Sequence, residues 1–207
     1  MRVSLPPHAR AMRIGLFGGS FNPPHAGHLL VAQTALRRLQ LDAVWWIVTP
    51  GNPLKSHTGL PSLAERMAAC RVLIGADPRI IVTGFEADIG TSYTEQSLRY
   101  LVRRCPGVDF VWLMGADNLA SFHRWQKWRS IASLVPMAVI DRPGATLRAV
   151  ASPAGAGFCQ GAPAGARSRA AGQPRSARLG IFTRPTDCAV FDAVAIRKNR
   201  RILIKEL

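Results

Sequence analysis

Acidic side chains are scarce in this chain of 207 residues, where twelve Asp and Glu stand against twenty-seven Lys and Arg and leave a formal net charge of +15. Cysteine is scarce as well. Cys70, Cys105, Cys159 and Cys188 are widely separated and form no C-x-x-C pair, which argues against a zinc cluster and against a disulfide framework of the secreted kind. The amino-terminal run MRVSLPPHAR lacks the apolar core of a secretory signal. Apolar runs such as Val44–Val48 and Leu134–Ile140 are too short to cross a bilayer. Neither a Walker A motif nor a G-x-G-x-x-G fingerprint is present, which counts against P-loop ATPases, kinases and ordinary dehydrogenases. These absences lead to the expectation of a cytoplasmic protein with no membrane partner. What remains is 48% apolar and 19% charged, the balance of a globular chain long enough to bury a sizeable core.

The positive charge is unevenly placed. Residues 1–147 hold sixteen basic and nine acidic side chains, whereas residues 148–207 hold eleven and three. The net of +7 in the first part suits small polyanionic substrates. The net of +8 in the shorter second part is a density at which a tail meets nucleic acid or acidic surfaces nonspecifically. No specific nucleic-acid partner is expected, because the excess of Arg over Lys and the abundant Ala equally mark a GC-rich coding sequence. No oligomeric state is assigned.

Hydrophobic periodicity organises the first 147 residues. Residues 12–17 read as a buried strand running into Gly18-Gly19, and an amphipathic helix follows from about Gly27 to Leu39. A second strand, Val44–Thr49, stops at the breaker cluster Pro50-Gly51-Asn52-Pro53. Strand, helix and strand within about forty residues make a βαβ unit. Ser62, with Glu65 three residues later, has capping-box spacing and opens a helix to about Gly75. Ile80–Thr83, Asp109–Met114 and Met137–Asp141 read as strands, and Thr94–Arg104 and Trp125–Leu134 as helices. The fold class expected is α/β, a doubly wound parallel sheet.

Composition changes after that point. Ten Ala, six Gly and three Pro fill much of Ala149–Gly180, where no acidic residue occurs. Such a segment buries too little surface to offset its ordering entropy, so 148–180 is expected to be a mobile linker. The expected division is a domain over 12–147, that linker, and a divergent part of the same domain over 181–207.

The most informative run is Gly18-Gly19-Ser20-Phe21-Asn22-Pro23-Pro24-His25-Ala26-Gly27-His28. It falls at the carboxyl end of a parallel strand, where ligands bind in such folds. The two glycines permit close approach of main-chain amides to an anion. His25 and His28 share a face at a helix start, on the positive end of the helix dipole, and offer two imidazoles to phosphate. A glycine turn followed by two surface histidines is the bland alternative, which the joint pattern at a strand-to-helix turn disfavours.

This run resembles the H-x-G-H signature of the nucleotidylyltransferase superfamily. Asn52-Pro53-Leu54-Lys55, Ser92 through Leu98, Gly115 through Leu119, Phe122 through Trp125 with Trp128, and Asp141-Arg142-Pro143-Gly144 narrow the resemblance to the nicotinate-nucleotide adenylyltransferase family. The resemblance covers roughly residues 12–147. It implies a Rossmann-like nucleotidylyltransferase fold and adenylyl transfer from ATP to nicotinate mononucleotide in NAD biosynthesis, with Mg2+ bound along with ATP and no dedicated metal ligands on the protein. It also implies roles. His25, His28 and Lys55 serve catalysis at the phosphates, and Gly18, Gly19, Ser20, Phe21, Gly115, Asp117 and Arg197 contact ATP. Thr94, Trp125 and Arg142 contact the acceptor nucleotide. Taken alone, Lys55 and Arg142 read equally as exposed cations, Trp125 as a packing aromatic, and Asp117 as a helix N-cap. Trp112 and Trp128 fit core packing better.

The family's second phosphate motif, I-S-S/A-T-x-I-R, has its nearest counterpart in Phe191-Asp192-Ala193-Val194-Ala195-Ile196-Arg197. The arginine is retained and the hydroxyl residues are missing. That departure leads to the expectation of an intact first half-site and an impaired second one. Phosphopantetheine or cytidylyl transfer, nicotinamide mononucleotide as acceptor, and a non-catalytic nucleotide-binding homologue are the alternative readings.

Overall fold

Two adjacent tryptophans show how the central sheet is built. In strand β2 (Ala43–Val48) all six residues are buried, and Trp45 and Trp46 are each 0% exposed. Successive side chains of a strand point to opposite faces, so one apolar pair supplies core to both sides. Each buries about 150–250 Å², worth about 4–6 kcal/mol at ~25 cal/mol per Å². Strand β1 (Arg13–Gly19) lies parallel beside it, with Leu16 opposite Trp45 and Phe17 opposite Trp46.

The structure, a computed structural model, describes residues 3–51, 59–140, 179–182, 190–191, 194–198 and 201–205. The chain divides into two compact units, Met1–Leu113 and Met114–Leu207. In the first unit, helix α1 (Ala26–Arg38) joins β1 to β2, and helix α2 (Leu63–Ile74) precedes strand β3 (Ile80–Thr83). A short helix α3 (Phe85–Asp88) and helix α4 (Thr94–Arg104) then lead to strand β4 (Asp109–Gly115), whose last two residues fall in the second unit. All pairings among β1 to β4 are parallel, in the spatial order β3-β2-β1-β4. Strand order reverses between β1 and β4, the switch point at whose carboxyl ends such sheets bind ligands. The fold is doubly wound α/β, as the alternation of strands and helices predicts.

Most elements stand where the hydrophobic pattern sets them, within two residues. The Ser62 capping box forms, with Glu65 N donating to Ser62 Oγ (3.2 Å) and Ser62 N donating to Glu65 Oε2 (2.8 Å). Two features have no counterpart in the sequence reading. The arm before β1 packs on the Trp45 face: Pro6 is buried, and the His8 ring meets Trp45 edge-on at 5.7 Å. Phe85–Asp88 forms a helix of only four residues, too short for a periodic pattern to reveal.

In the second unit, helix α5 (Ala116–Ser121), a 3-10 turn (Phe122–Arg124) and helix α6 (Trp128–Leu134) precede strand β5 (Met137–Ile140). Here the expected helix over Trp125–Leu134 is corrected. Trp125 is extended (φ −72°, ψ 139°), and Lys127 adopts a left-handed conformation (φ 54°), so helix begins only at Trp128. Strands β6 (Leu179–Phe182) and β7 (Val190–Phe191) pair antiparallel, as do β8 (Val194–Lys198) and β9 (Arg201–Lys205). Strand β6 also pairs antiparallel with β5. The expected linker lies outside the described residues apart from its last two positions, in β6.

Candidate active site

The first unit turns from β1 into α1 through Ser20–His25. Phe21 is 1% exposed at φ 46°, a left-handed conformation rare for a bulky side chain. Its ring is held by stacking on Trp46 at 4.9 Å and by an edge contact with Phe17 at 5.8 Å. The tight turn therefore rests on aromatic packing behind it. Gly18 has a packing reason besides access for an anion, because a Cβ there would meet the Trp112 ring at 2.6 Å.

His25 is the N-cap of α1 and His28 its third residue. Gly27 N donates to His25 Nδ1 and His25 N donates to His28 Nδ1, both at 3.1 Å. In a neutral imidazole an accepting Nδ1 leaves the proton on Nε2. The capping box thus selects, in both rings, the tautomer whose Nε2 can donate to an oxyanion. The ring centroids are 3.8 Å apart. His25 is exposed and His28 half-buried against Phe21 at 4.9 Å. Two imidazole donors so lie side by side at the start of α1, an arrangement suited to phosphate.

Behind the turn lies a residue not singled out in the sequence. Arg66 of α2 is 3% exposed and donates to four main-chain carbonyls: Pro61 (3.0 Å), Ser20 and Thr49 (both 2.8 Å), and Pro50 (3.3 Å). Burial lowers its pKa from the ordinary value, an effect the neighbouring Cys70 opposes. Nothing in its sequence context separates it from an exposed helical arginine.

Thr94 is the first residue of α4 and half-buried. The start of this helix is held by a second residue not anticipated, Glu86 of α3, 4% exposed. Ser97 Oγ donates to Glu86 Oε1 at 2.6 Å, and Tyr93 N donates to Thr91 Oγ1 at 3.1 Å. Burial raises the Glu86 pKa, while the hydroxyls of Ser97 and Thr49 pull it down. Cys70 is fully buried, and burial pushes its thiol up to about 11, so it is neither thiolate nor nucleophile near neutral pH.

In the second unit, Gly115 is the N-cap of α5 and Asp117 stands exposed in its first turn. The N-cap role considered for Asp117 is therefore taken by Gly115. A carboxylate in a first turn still favours the helix dipole. Trp125 is half-buried and meets Phe122 edge-on at 5.4 Å, and Trp128 meets the same ring at 5.9 Å. Trp112, in the first unit, is 2% exposed, as a core residue should be. Arg197 lies in strand β8, opposite Ile202. Lys55 and Arg142 lie outside the described residues.

A family model described as Cytidylyltransferase-like matches residues 16–199. A protein of Methylorubrum extorquens named "Probable nicotinate-nucleotide adenylyltransferase" is 57% identical over 180 residues, 87% of this chain and 91% of its own. The chain belongs to the nicotinate-nucleotide adenylyltransferase family. Another member of this family, from Agrobacterium fabrum, is 61% identical over 149 residues, 72% of this chain and 79% of its own. A solved structure of the Plasmodium falciparum nicotinic acid mononucleotide adenylyltransferase, complexed with NaAD, shares the fold at a TM-score of 0.58 and 18% identity, covering 65% of this chain and 66% of its own.

Proposed function

We propose that this chain transfers the adenylyl group of ATP to nicotinate mononucleotide, forming nicotinate adenine dinucleotide and pyrophosphate, in the cytoplasm. The observation that carries the chemistry is the pair of capped imidazoles at the α1 start, 3.8 Å apart and both set to donate through Nε2. The family relatives carry the substrate.

The acceptor phosphate attacks the α-phosphorus of ATP. A new phosphorus–oxygen bond forms, the bond to the bridging oxygen breaks, and pyrophosphate leaves with its electron pair. The nucleophile is already anionic, so the protein needs only to align the two phosphates and stabilise charge. His25 and His28 bind the triphosphate, with Gly18, Gly19, Ser20 and Phe21 lining the turn, and Lys55 adds a cation. Gly115, Asp117 and Arg197 are assigned to ATP, and Thr94, Trp125 and Arg142 to the acceptor. The site residues of the turn are donors, and among the described residues no three His, Cys, Asp or Glu gather as a metal-holding group. Mg2+ would enter with ATP and would neutralise part of the triphosphate charge. In this reading the catalytic domain spans 12–147, a linker 148–180, and the rest of the domain 181–207.

Steady-state kinetics with ATP and nicotinate mononucleotide test this reading. His28→Ala should lower kcat by about 10²–10³-fold, with a Tm loss of only about 2–4 °C from the broken cap. Trp125→Ala, by losing a cation–π face, should raise the acceptor KM about 2- to 30-fold. An ordinary acceptor KM in that variant removes Trp125 from the site. The missing hydroxyls before Arg197 should raise the ATP KM, and full activity at low ATP refutes that impairment. Turnover with phosphopantetheine but not nicotinate mononucleotide overturns the substrate assignment.

A further inference from the structure

Arg66 is a buried cation whose observed partners are all main-chain carbonyls, and no carboxylate of the described residues lies within ion-pair distance of it. A guanidinium without a counter-charge is costly to bury, and such a group invites the question of what it holds. One of its nitrogens binds Ser20 O and Thr49 O together, both at 2.8 Å. Ser20 follows β1 and Thr49 follows β2. Between the same two strand ends, Thr49 N donates to Gly19 O at 3.0 Å. Arg66 thus continues the β1–β2 pairing one step beyond the sheet, across the phosphate turn. A second nitrogen holds Pro50 O, on the chain that leads to Lys55. Its anchor is firm: Arg66 N bonds Ser62 O at 3.1 Å, inside the capped first turn of α2.

The consequence follows from peptide geometry. In a trans peptide the C=O and N–H point in opposite directions. Drawing the Ser20 carbonyl onto Arg66 therefore aims the amide of Phe21 the other way, away from α2. Phe21 is also the residue held at a left-handed φ by stacking on Trp46. A guanidinium at one end and an aromatic stack at the other leave this peptide a single orientation.

We propose that Arg66 is a positioning residue for ATP: by fixing the Ser20–Phe21 peptide it presents the Phe21 amide as a phosphate donor. The proposal rests on the assignment of this turn to ATP phosphates. It requires the planar, multi-donor geometry of guanidinium, which one ammonium reproduces only in part.

The test is a comparison of wild type, Arg66→Lys and Arg66→Met in steady-state kinetics, with Tm measured for each. Arg66→Met should raise the ATP KM and lower kcat/KM for ATP about 10- to 100-fold, leaving the acceptor KM within about threefold. Arg66→Lys should recover part of that loss. A merely structural arginine would instead lower the active fraction, so kcat would fall with both KM values unchanged; that result overturns the proposal. So does an ATP KM at the wild-type value in both variants. If Arg66→Met does not fold, Arg66→Lys alone decides, since its ATP KM must rise. Failure of the functional reading shows separately, as a wild-type chain that forms no dinucleotide.

Discussion

Glu86 is a carboxyl that folding places in a costly position. It is 4% exposed, with Ser97 Oγ donating to it at 2.6 Å and the Thr49 hydroxyl also favouring its charged form. Burial raises its pKa above the ordinary 4.5, so the folded chain binds this proton more tightly than the unfolded chain does. Stability from the protonated group is fully present below pH 4.5 and is lost as pH rises through the raised folded value. Glu86→Gln keeps the shape and an acceptor for Ser97 while removing the charge. Its Tm advantage over wild type should therefore grow as pH is raised from about 4.5 to 8. A Tm difference that stays flat across that range would show that Glu86 carries no burial penalty. His25 and His28 make the same point in reverse, since main-chain amides fill their Nδ1 acceptors and so choose the tautomer.

Among the elements, helix α2 carries most of the consequence. Its start is a reciprocal box between Ser62 and Glu65, and Arg66 sits in the next position, reaching back to Ser20 at the start of the Ser20–His25 turn. Ser62→Ala removes the acceptor for Glu65 N at a cost of about 1 kcal/mol, which corresponds to a Tm loss of about 2–4 °C in a chain of this size. The ATP KM should be unchanged if tertiary contacts hold Arg66 in place, and thermal melts paired with kinetics measure both. A rise in that KM comparable with the rise in Arg66→Met would show that the cap, and not the carbonyl cluster, orients the guanidinium. Element boundaries go astray in sequence where the backbone turns without a change of hydrophobic pattern. Residues 125–134 look helical throughout, but a 3-10 turn before Trp125 and the left-handed Lys127 after it interrupt the backbone.

On the scale of the whole molecule, the charge of +15 has two separate meanings. The first 147 residues carry an excess suited to two phosphate-rich small molecules, and the family assignment needs nothing more. The excess of 148–207 is expected to meet nucleic acid nonspecifically, so binding of a generic RNA should be electrostatic only. Fluorescence anisotropy with a labelled oligonucleotide should show affinity falling on the order of a thousandfold between 50 and 200 mM salt. Binding that persists at 200 mM salt with a base preference would point to a real nucleic-acid function. No helix among the described residues is long and apolar enough to cross a membrane, in line with the short apolar runs.

Local spacing alone specifies the α/β alternation, the glycine turn with its paired histidines and the Ser62 cap, because none of them needs a partner from afar. The same locality makes the family resemblance readable. Long-range packing is what sets Gly18 against Trp112, pins Phe21 on Trp46, and buries Arg66 and Glu86. Those roles depend on which distant carbonyls, rings and hydroxyls the sheet brings alongside, and an arginine or glutamate reads the same in sequence whether it meets water or the core. The scarce cysteines gain a reason in the same way: Cys70 and Cys105 are core thiols whose burial raises their pKa, so their contribution is packing.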